Sequence, residues 1–390
     1  MFNYAKSLRK TIILVCEKNF YFDKLPNLLE EKGFNGWEAI YILNTANNKF
    51  FKQLNSSFKK IFFIGNYSNF TIRKNFDCFH ISPYLDSLLA KEPRCRKYYT
   101  ENKDDITASV FLGLMSLNVL QHNNSYWYNF GYIYAAPILY SYVKWLVKEF
   151  KKDNIKETLF VSRDGYILRK LFDLVKTDSG IKSHYVYASR KLLKKYTNCS
   201  KENENAFRAY IESLNLSSNS VACVDSITFK HSCFSLLKYY LPNKNLIGYY
   251  YTVCKEAFDK NNPMRVFGEQ IIKKVFNWNI VEFFMTTPTP SIKYINDNKP
   301  VYEHINKYEM QRINAVKSME KGIIDFSLRS EKFFKNIDLP IEPNQTVNLI
   351  NILYGTLSGR DKKYMSKIKH SENDDGKYEE LFDDKWHPRY

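Results

Sequence analysis

The stretch Glu157–Lys176, ETLFVSRDGYILRKLFDLVK, decides how this chain is read. Its apolar run, Thr158–Ser162, predicts a strand that delivers Arg163, Asp164 and Gly165 into a turn at the start of an amphipathic helix. Strand, turn and helix in that order form the unit of a parallel α/β sheet. Such a sheet collects ligands at its strand ends, because the unpaired N–H groups and the dipole of the following helix favour anions there. Two further apolar runs, HYVYASRKLL (His184–Leu193) and VACVDSITFKHS (Val221–Ser232), also end in charged or hydroxyl residues, so that three ends line one rim. The plainer reading of Arg163 and Asp164 is that they cap the helix and pair with each other.

Around this unit the composition sets bounds. The chain has 390 residues, 44% hydrophobic and 16% aromatic, enough for a sizeable core and more than one domain. Lys and Arg outnumber Asp and Glu by 58 to 41, a net charge of +17 that favours acidic partners: nucleic acid, an anionic membrane surface, or phosphorylated small molecules. The excess is spread along the chain without any nucleic-acid-binding signature, so nucleic acid is not an expected partner. Heavy use of Lys, Asn, Ile, Tyr and Phe also resembles the product of an AT-rich bacterial genome, which lowers the weight of the charge. The apolar run after the N-terminal MFNYAKSLRK, Thr11–Val15, is too short for a signal peptide. Ala108–Leu120 is too short to cross a bilayer. A cytoplasmic protein is expected, with peripheral association at the inner face of the cell membrane as an option. The seven cysteines contain no CxxC pair and the histidines show no ligand spacing, so neither disulfides nor structural zinc is expected.

Residues 1–90 alternate apolar runs (TIILVC, AIYIL, KKIFFIG, CFHIS) with amphipathic helices, a parallel α/β pattern, and the polar stretch Lys91–Asp105 closes a first domain at 1–105. Residues 106–300 carry a long helix, Ala135–Lys151, then the three strand-and-rim segments and a further strand, LIGYYYTVC. Residues 301–390 read as helical, for example Tyr308–Phe334.

Within the middle region, VACVD followed by SITFKHS puts Asp225 at a strand tip and Ser226, Thr228, Lys230 and Ser232 in the succeeding turn. Hydroxyls, a lysine and helix N–H groups suit a phosphomonoester. Ser162, Arg163 and Gly165 from the first rim segment, and Ser189, Arg190 and Lys191 from the second, complete the candidate binding set. Glu282, in NIVEFFMTTPTPSI, reads either as a catalytic or acceptor-binding carboxylate or as the buried partner of an arginine. Thr286–Ser291 reads as an acceptor loop or as a connecting turn, and His231 as a ligand contact or a structural residue. The aromatics of YWYNFGYIY read as core more readily than as a sugar platform.

The succession GYIYAAPILYSYVKWL, LFVSRDGYILRKLF, YVYASRKLL, VACVDSITFKHSCFSLL and NIVEFFMTTPTPSI resembles bacterial proteins of surface-polysaccharide gene clusters. These pair an N-terminal haloacid-dehalogenase-like (HAD) region with a second domain containing FLSRDGY, YxxSR and VDIGWxGT-like segments, and the resemblance covers most of residues 11–300. It implies a HAD-like domain at residues 1–105 and a phosphoribosyltransferase-like α/β domain at 106–300. The HAD phosphatase residues are missing, however. There is no DxD strand, Cys16 stands where a Ser or Thr is expected, and Asn66 and Asn69 in FFIGNYSNF stand where carboxylates would hold magnesium. The first domain is therefore expected to be a degenerate remnant without phosphatase activity.

The second domain resembles the type I phosphoribosyltransferases, whose acidic strand tip and Thr/Ser-rich turn hold the ribose and 5′-phosphate of phosphoribosyl pyrophosphate (PRPP). The resemblance implies a glycosyltransferase of capsule or O-antigen biosynthesis that uses PRPP with Mg²⁺, or another activated phosphosugar. It implies a lipid-linked glycan as acceptor and a separate HAD phosphatase acting afterwards. Asp164 is the first candidate for the base and Asp225 the second. This chain departs from the pattern, since Asp225–Ser226 and Phe229–Lys230 replace the usual paired acids and glycines. The alternatives are a non-catalytic scaffold of a polysaccharide assembly complex and a residual HAD-type hydrolase.

Overall fold

The computed structural model describes residues 2–17, 25–43, 48–65, 76–80, 84–102, 105–118, 125–175, 180–188, 192, 195–196, 201–228, 231–253, 263–268, 278–334, 341, 343–355, 357–370 and 379–380. The chain forms two units, Met1–Val119 (with Asn336–Asp338) and Leu120–Lys335 with Leu339–Tyr390.

The first unit opens with helix α1 (Phe2–Ser7) and then alternates strands β1 (Ile13–Glu17), β2 (Ala39–Leu43), β3 (Ile61–Gly65) and β4 (Phe76–His80) with helices α2 (Leu25–Glu31) and α3 (Asn48–Ser57). β1 pairs with β2 and β3 with β4, both in parallel, as the alternating pattern predicts. Helices α4 (Tyr84–Lys91), α5 (Pro93–Glu101) and α6 (Ile106–Ser116) follow and pack on one another, burying Leu88, Cys95, Tyr98, Phe111 and Met115. The apolar segment expected to open the second domain is thus α6, and it belongs to the first unit.

The second unit is built on a five-stranded sheet: β5 (Glu157–Val161), β6 (Lys182–Val186), β7 (Ser220–Thr228), β8 (Asn245–Val253) and β9 (Met264–Val266). Every neighbouring pair is parallel and the spatial order is β6-β5-β7-β8-β9. Parallel strands need crossovers, and helices α8 (Ala136–Lys152), α9 (Gly165–Val175), α10 (Lys201–Glu212) and α11 (Ser232–Tyr240) cover the two faces. On one face Leu159, Val161, Val221, Cys223 and Leu246 pack against Phe207, Tyr210 and Ile211 of α10 and Phe234, Leu237 and Tyr240 of α11. On the other, Phe160 meets Phe172 of α9 at 5.4 Å between ring centroids, and Phe150 of α8 meets Tyr249 at 4.8 Å. Burial on both faces is why ETLFV is buried at every position.

Helix α8 continues from α7 (Tyr126–Phe130) through a π-turn, Gly131–Ala135. After the sheet come α12 (Trp278–Met285), a hairpin of β10 (Ile292–Asn296) and β11 (Lys299–Tyr302), and α13 (Lys307–Phe334), close to the helix predicted at Tyr308–Phe334. Helices α14 (Pro343–Gly355) and α15 (Gly359–Met365) and the short pair β12 (Lys369–His370) and β13 (Glu379–Glu380) complete the unit. Helix α13 packs along α7, the π-turn and α8.

Candidate functional site

Numbered within the sheet, the strand order is 2-1-3-4-5, one of the two common orders of doubly wound α/β sheets. Its topological switch point lies between β5 and β7, and the crevice beyond their C-terminal ends is where such sheets bind ligands. The ladder between these strands ends at Phe160↔Val224, whereas β7 and β8 stay paired as far as Thr228↔Val253. Asp225 is therefore not at the strand tip, as the sequence suggests. Asp225 and Ser226 lie inside β7 along the stretch where it has lost its β5 partner.

That gap is filled from β5. The Ser162 backbone N–H donates to the Val186 carbonyl at 2.9 Å and its hydroxyl to the Ala188 carbonyl at 3.4 Å, so Ser162 ties the turn to β6 rather than facing outward. The Ser162–Arg163 peptide is cis. Gly165 is required by packing, since a Cβ there would stand 2.5 Å from the Phe160 carbonyl carbon. Asp164 projects across the gap, and its carboxylate accepts a hydrogen bond from the Ser226 hydroxyl. Asp225 accepts from the Ser226 backbone N–H at 2.9 Å, and its carbonyl accepts from the Tyr142 phenol of α8 at 3.2 Å. Asp164 and the Asp225–Ser226 pair, far apart in sequence, thus form one contiguous group.

Arg163 donates to the Ser291 hydroxyl at 3.2 Å. Burial and the neighbouring Arg312 guanidinium push its pKa below the ordinary arginine value, while Asp164, Glu309 and Glu282 pull it back. A guanidinium keeps its charge throughout the physiological range, so Arg163 is a cation surrounded by three carboxylates and a second cation. Glu282 lies on α12 within electrostatic reach of Arg163.

The residues that sequence reasoning missed are Glu309 and Arg312 of α13. Arg312 is 2% exposed, and its guanidinium donates to both oxygens of Glu309, to the Thr286 hydroxyl, and at 2.6 Å to each of the Thr287 and Thr289 carbonyls. All five of its N–H donors are used. Arg312 therefore fixes the Thr286–Ser291 segment, and through Ser291 the position of Arg163. An i,i+3 Glu–Arg pair on a helix is visible in the sequence, but its loop partners 23 to 26 residues away are not.

At the start of α11, His231 has a left-handed backbone (φ 49°) and its Nδ1 lies 3.1 Å from the Tyr250 hydroxyl, which matches its structural reading. Ser232 opens the helix and Thr228 closes β7. Ser189, Arg190, Lys191 and Lys230 lie outside the described residues.

A magnesium ion fits this donor set only in part. Mg²⁺ is commonly held by one or two carboxylates with phosphate oxygens and water supplying the rest. Asp164 and Asp225 are hard oxygen donors of that kind, and among the described residues no cluster of three or more ligand-type side chains is present. Among the described residues, too, no helix is long and apolar enough to cross a membrane.

Fold and site define an α/β protein whose doubly wound parallel sheet carries a charged group at its switch point. No family model matches the chain, and no curated protein matches it. Among solved structures it is similar to an extracellular ligand-binding receptor from Verminephrobacter eiseniae ef01-2, at 11% identity over 87% of this chain and 89% of that one. The TM-score is 0.21, too low to carry an argument.

Proposed function

We propose that the second unit is a phosphoribosyltransferase-like glycosyltransferase of capsule or O-antigen biosynthesis that moves a 5-phosphoribosyl unit from PRPP to a glycan hydroxyl. The observation that carries this reading is the Asp164–Ser226 hydrogen bond beside Arg163, which unites the two acidic segments at the switch point. In the reaction the bond from the anomeric carbon to pyrophosphate breaks, its electron pair leaving with pyrophosphate. A bond from the acceptor oxygen to that carbon forms, and the acceptor proton passes to a carboxylate.

Asp164 is the base in this reading. A positioned carboxylate contributes on the order of 10²–10⁴ to such a step. Arg163 faces the charge that develops on pyrophosphate, the kind of preorganised electrostatics that supplies most of the acceleration. Asp225 holds the ribose hydroxyls, and Thr228 at the end of β7, Ser232 at the start of α11 and Lys230 of the intervening sequence receive the 5′-phosphate. Asp225 is the side chain that would hold a magnesium ion brought with PRPP, which would neutralise the pyrophosphate charge there. The first unit is read as a HAD-like remnant with no phosphatase activity, which leaves removal of the 5′-phosphate to a separate enzyme. The protein works in the cytoplasm, at the inner face of the membrane where a lipid-linked acceptor is presented.

The test is calorimetry of PRPP with Mg²⁺ together with a transfer assay. The Asp164→Asn protein should bind PRPP about as well as the wild type and transfer at least about a hundredfold more slowly. A wild-type protein that binds no PRPP would overturn the reading. The second reading, a non-catalytic scaffold, draws on the same contacts, because Asp164 is bonded to Ser226 and Arg163 to Ser291 within the fold. It predicts that Asp164→Asn lowers the melting temperature and changes nothing else.

A further inference from the structure

Next to Asp164 on the β6 side stands a group of tyrosines that the site described so far does not use. Tyr185 of β6 packs edge-on against Tyr166 of α9 at 5.9 Å and against Tyr187 at 5.3 Å between ring centroids. Tyr187 is hydrogen-bonded with Tyr302 at the end of β11. Tyr185 shares a hydrogen bond with Thr287 and lies within electrostatic reach of both Asp164 and Tyr302. Tyr166, Tyr185 and Tyr187 are half-buried, and Tyr302 is 36% exposed. The group is held rigidly, for Arg312 fixes the Thr287 carbonyl and the Tyr210 phenol accepts from the Tyr187 backbone N–H at 2.9 Å.

We infer that Tyr166, Tyr185, Tyr187 and Tyr302 form a subsite for a neutral sugar ring, the acceptor side of the transferase read above. Phenols present a ring face to the C–H face of a sugar and an O–H to its hydroxyls, the amphipathic match that apolar or purely charged groups lack. Asp164 at the border disfavours an anionic occupant and accepts from a hydroxyl. Of the described cations beside the group, Lys170 stands 4.4 Å over the Tyr166 ring and is paired with Glu320, and Arg169, within electrostatic reach of Tyr187, is paired with Asp173. The phenols stay protonated donors, since burial drives the pKa of Tyr185 and of Tyr187 well above the ordinary tyrosine value.

The inference rests on the transferase reading for its role, but its binding test does not. Saturation-transfer NMR with methyl α-D-glucopyranoside and methyl β-D-galactopyranoside should show transfer to ring C–H protons of at least one glycoside. Tyr302→Ala should reduce that signal about fivefold, the loss of one aromatic face, and Tyr302→Phe should retain most of it. Tyr239→Ala, at an exposed ring on α11 that packs on Tyr240, should leave it unchanged. No transfer to wild-type protein, or equal transfer to Tyr302→Ala, would overturn the subsite. Calorimetry with PRPP and Mg²⁺ separates the two ideas. Glycoside binding that depends on Tyr302 without PRPP binding leaves the subsite standing and the transferase reading overturned, and the opposite pair of results does the reverse.

Discussion

At the scale of single residues, Arg312 commits all five of its N–H donors to holding the loop beside this site. Its partners are two loop carbonyls, a hydroxyl and Glu309, itself 8% exposed. Surface ion pairs such as Arg208–Glu204 contribute about 0–1 kcal/mol. Removing one partner of a buried pair costs about 3–5 kcal/mol, because the other charge stays buried without compensation. Arg312→Met should therefore destabilise the second unit by that order in urea unfolding. Arg312→Lys keeps the charge but lacks the planar fork that reaches four acceptor groups at once, and should fall between the two. A wild-type-like Arg312→Met protein would show that the loop is held by other means.

At the scale of elements, the crossing of α13 over α7 and the π-turn is set by two glycines. A Cβ at Gly322 would lie 2.2 Å from the Tyr128 carbonyl oxygen, and one at Gly131 would lie 2.3 Å from that of Met319. Backbone cannot move aside as a side-chain end can. The close approach lets Tyr128 reach Asp325 at 2.8 Å and Tyr140 reach Glu331 at 2.6 Å, hydrogen bonds that lock the two helices along their length. Gly322→Ala should cost about 1–3 kcal/mol or more through overpacking. Gly355→Ala, in α14 with open space around it, should be neutral or slightly stabilising, as helix propensity favours alanine. Thermal melts of the two variants measure the contrast, and equal melting temperatures would mean that α13 can shift.

At the scale of the whole molecule, acid should weaken the sheet from the end opposite the site. Glu157, at the start of β5, is 1% exposed. Burial alone would raise its pKa, but hydrogen bonds from Ser218 and Ser217 and the nearby His184 hold it below the ordinary 4.5. His184 is held below 6.5 by burial, with Arg169 and Lys182 adding to the effect against the pull of Glu157. Both folded pKa values are depressed, so in both cases the unfolded chain binds protons more readily and stability rises with pH. The His184 contribution is complete above pH 6.5 and declines below it, and that of Glu157 is lost as pH falls below 4.5. Urea midpoints measured from pH 7.5 to pH 4 should fall, and Glu157→Gln should flatten the lower part of the curve. A midpoint that rises on acidification would contradict this assignment.

How much of this was legible beforehand differs from part to part. The order of strands and helices follows from local chemistry. Apolar runs such as ETLFV and LIGYYYTV bury both faces of a parallel sheet, and amphipathic segments such as Ala135–Lys151 and Tyr308–Phe334 have one face to bury, so hydropathy alone locates them. Asp164, Asp225 and Ser226 could be nominated from the sequence because strand ends before helix starts are where polar side chains have a reason to be. Their meeting could not, for it depends on β7 being inserted next to β5 and outrunning it by several residues. Nor could the reach of Arg312 to the loop at Thr286–Ser291, the approach of α13 on Gly131, or the tyrosine group drawn from β6, α9 and β11. Each joins residues whose sequence neighbours carry no trace of the partner, because packing depends on which surfaces meet in space, and only the assembled fold brings them together.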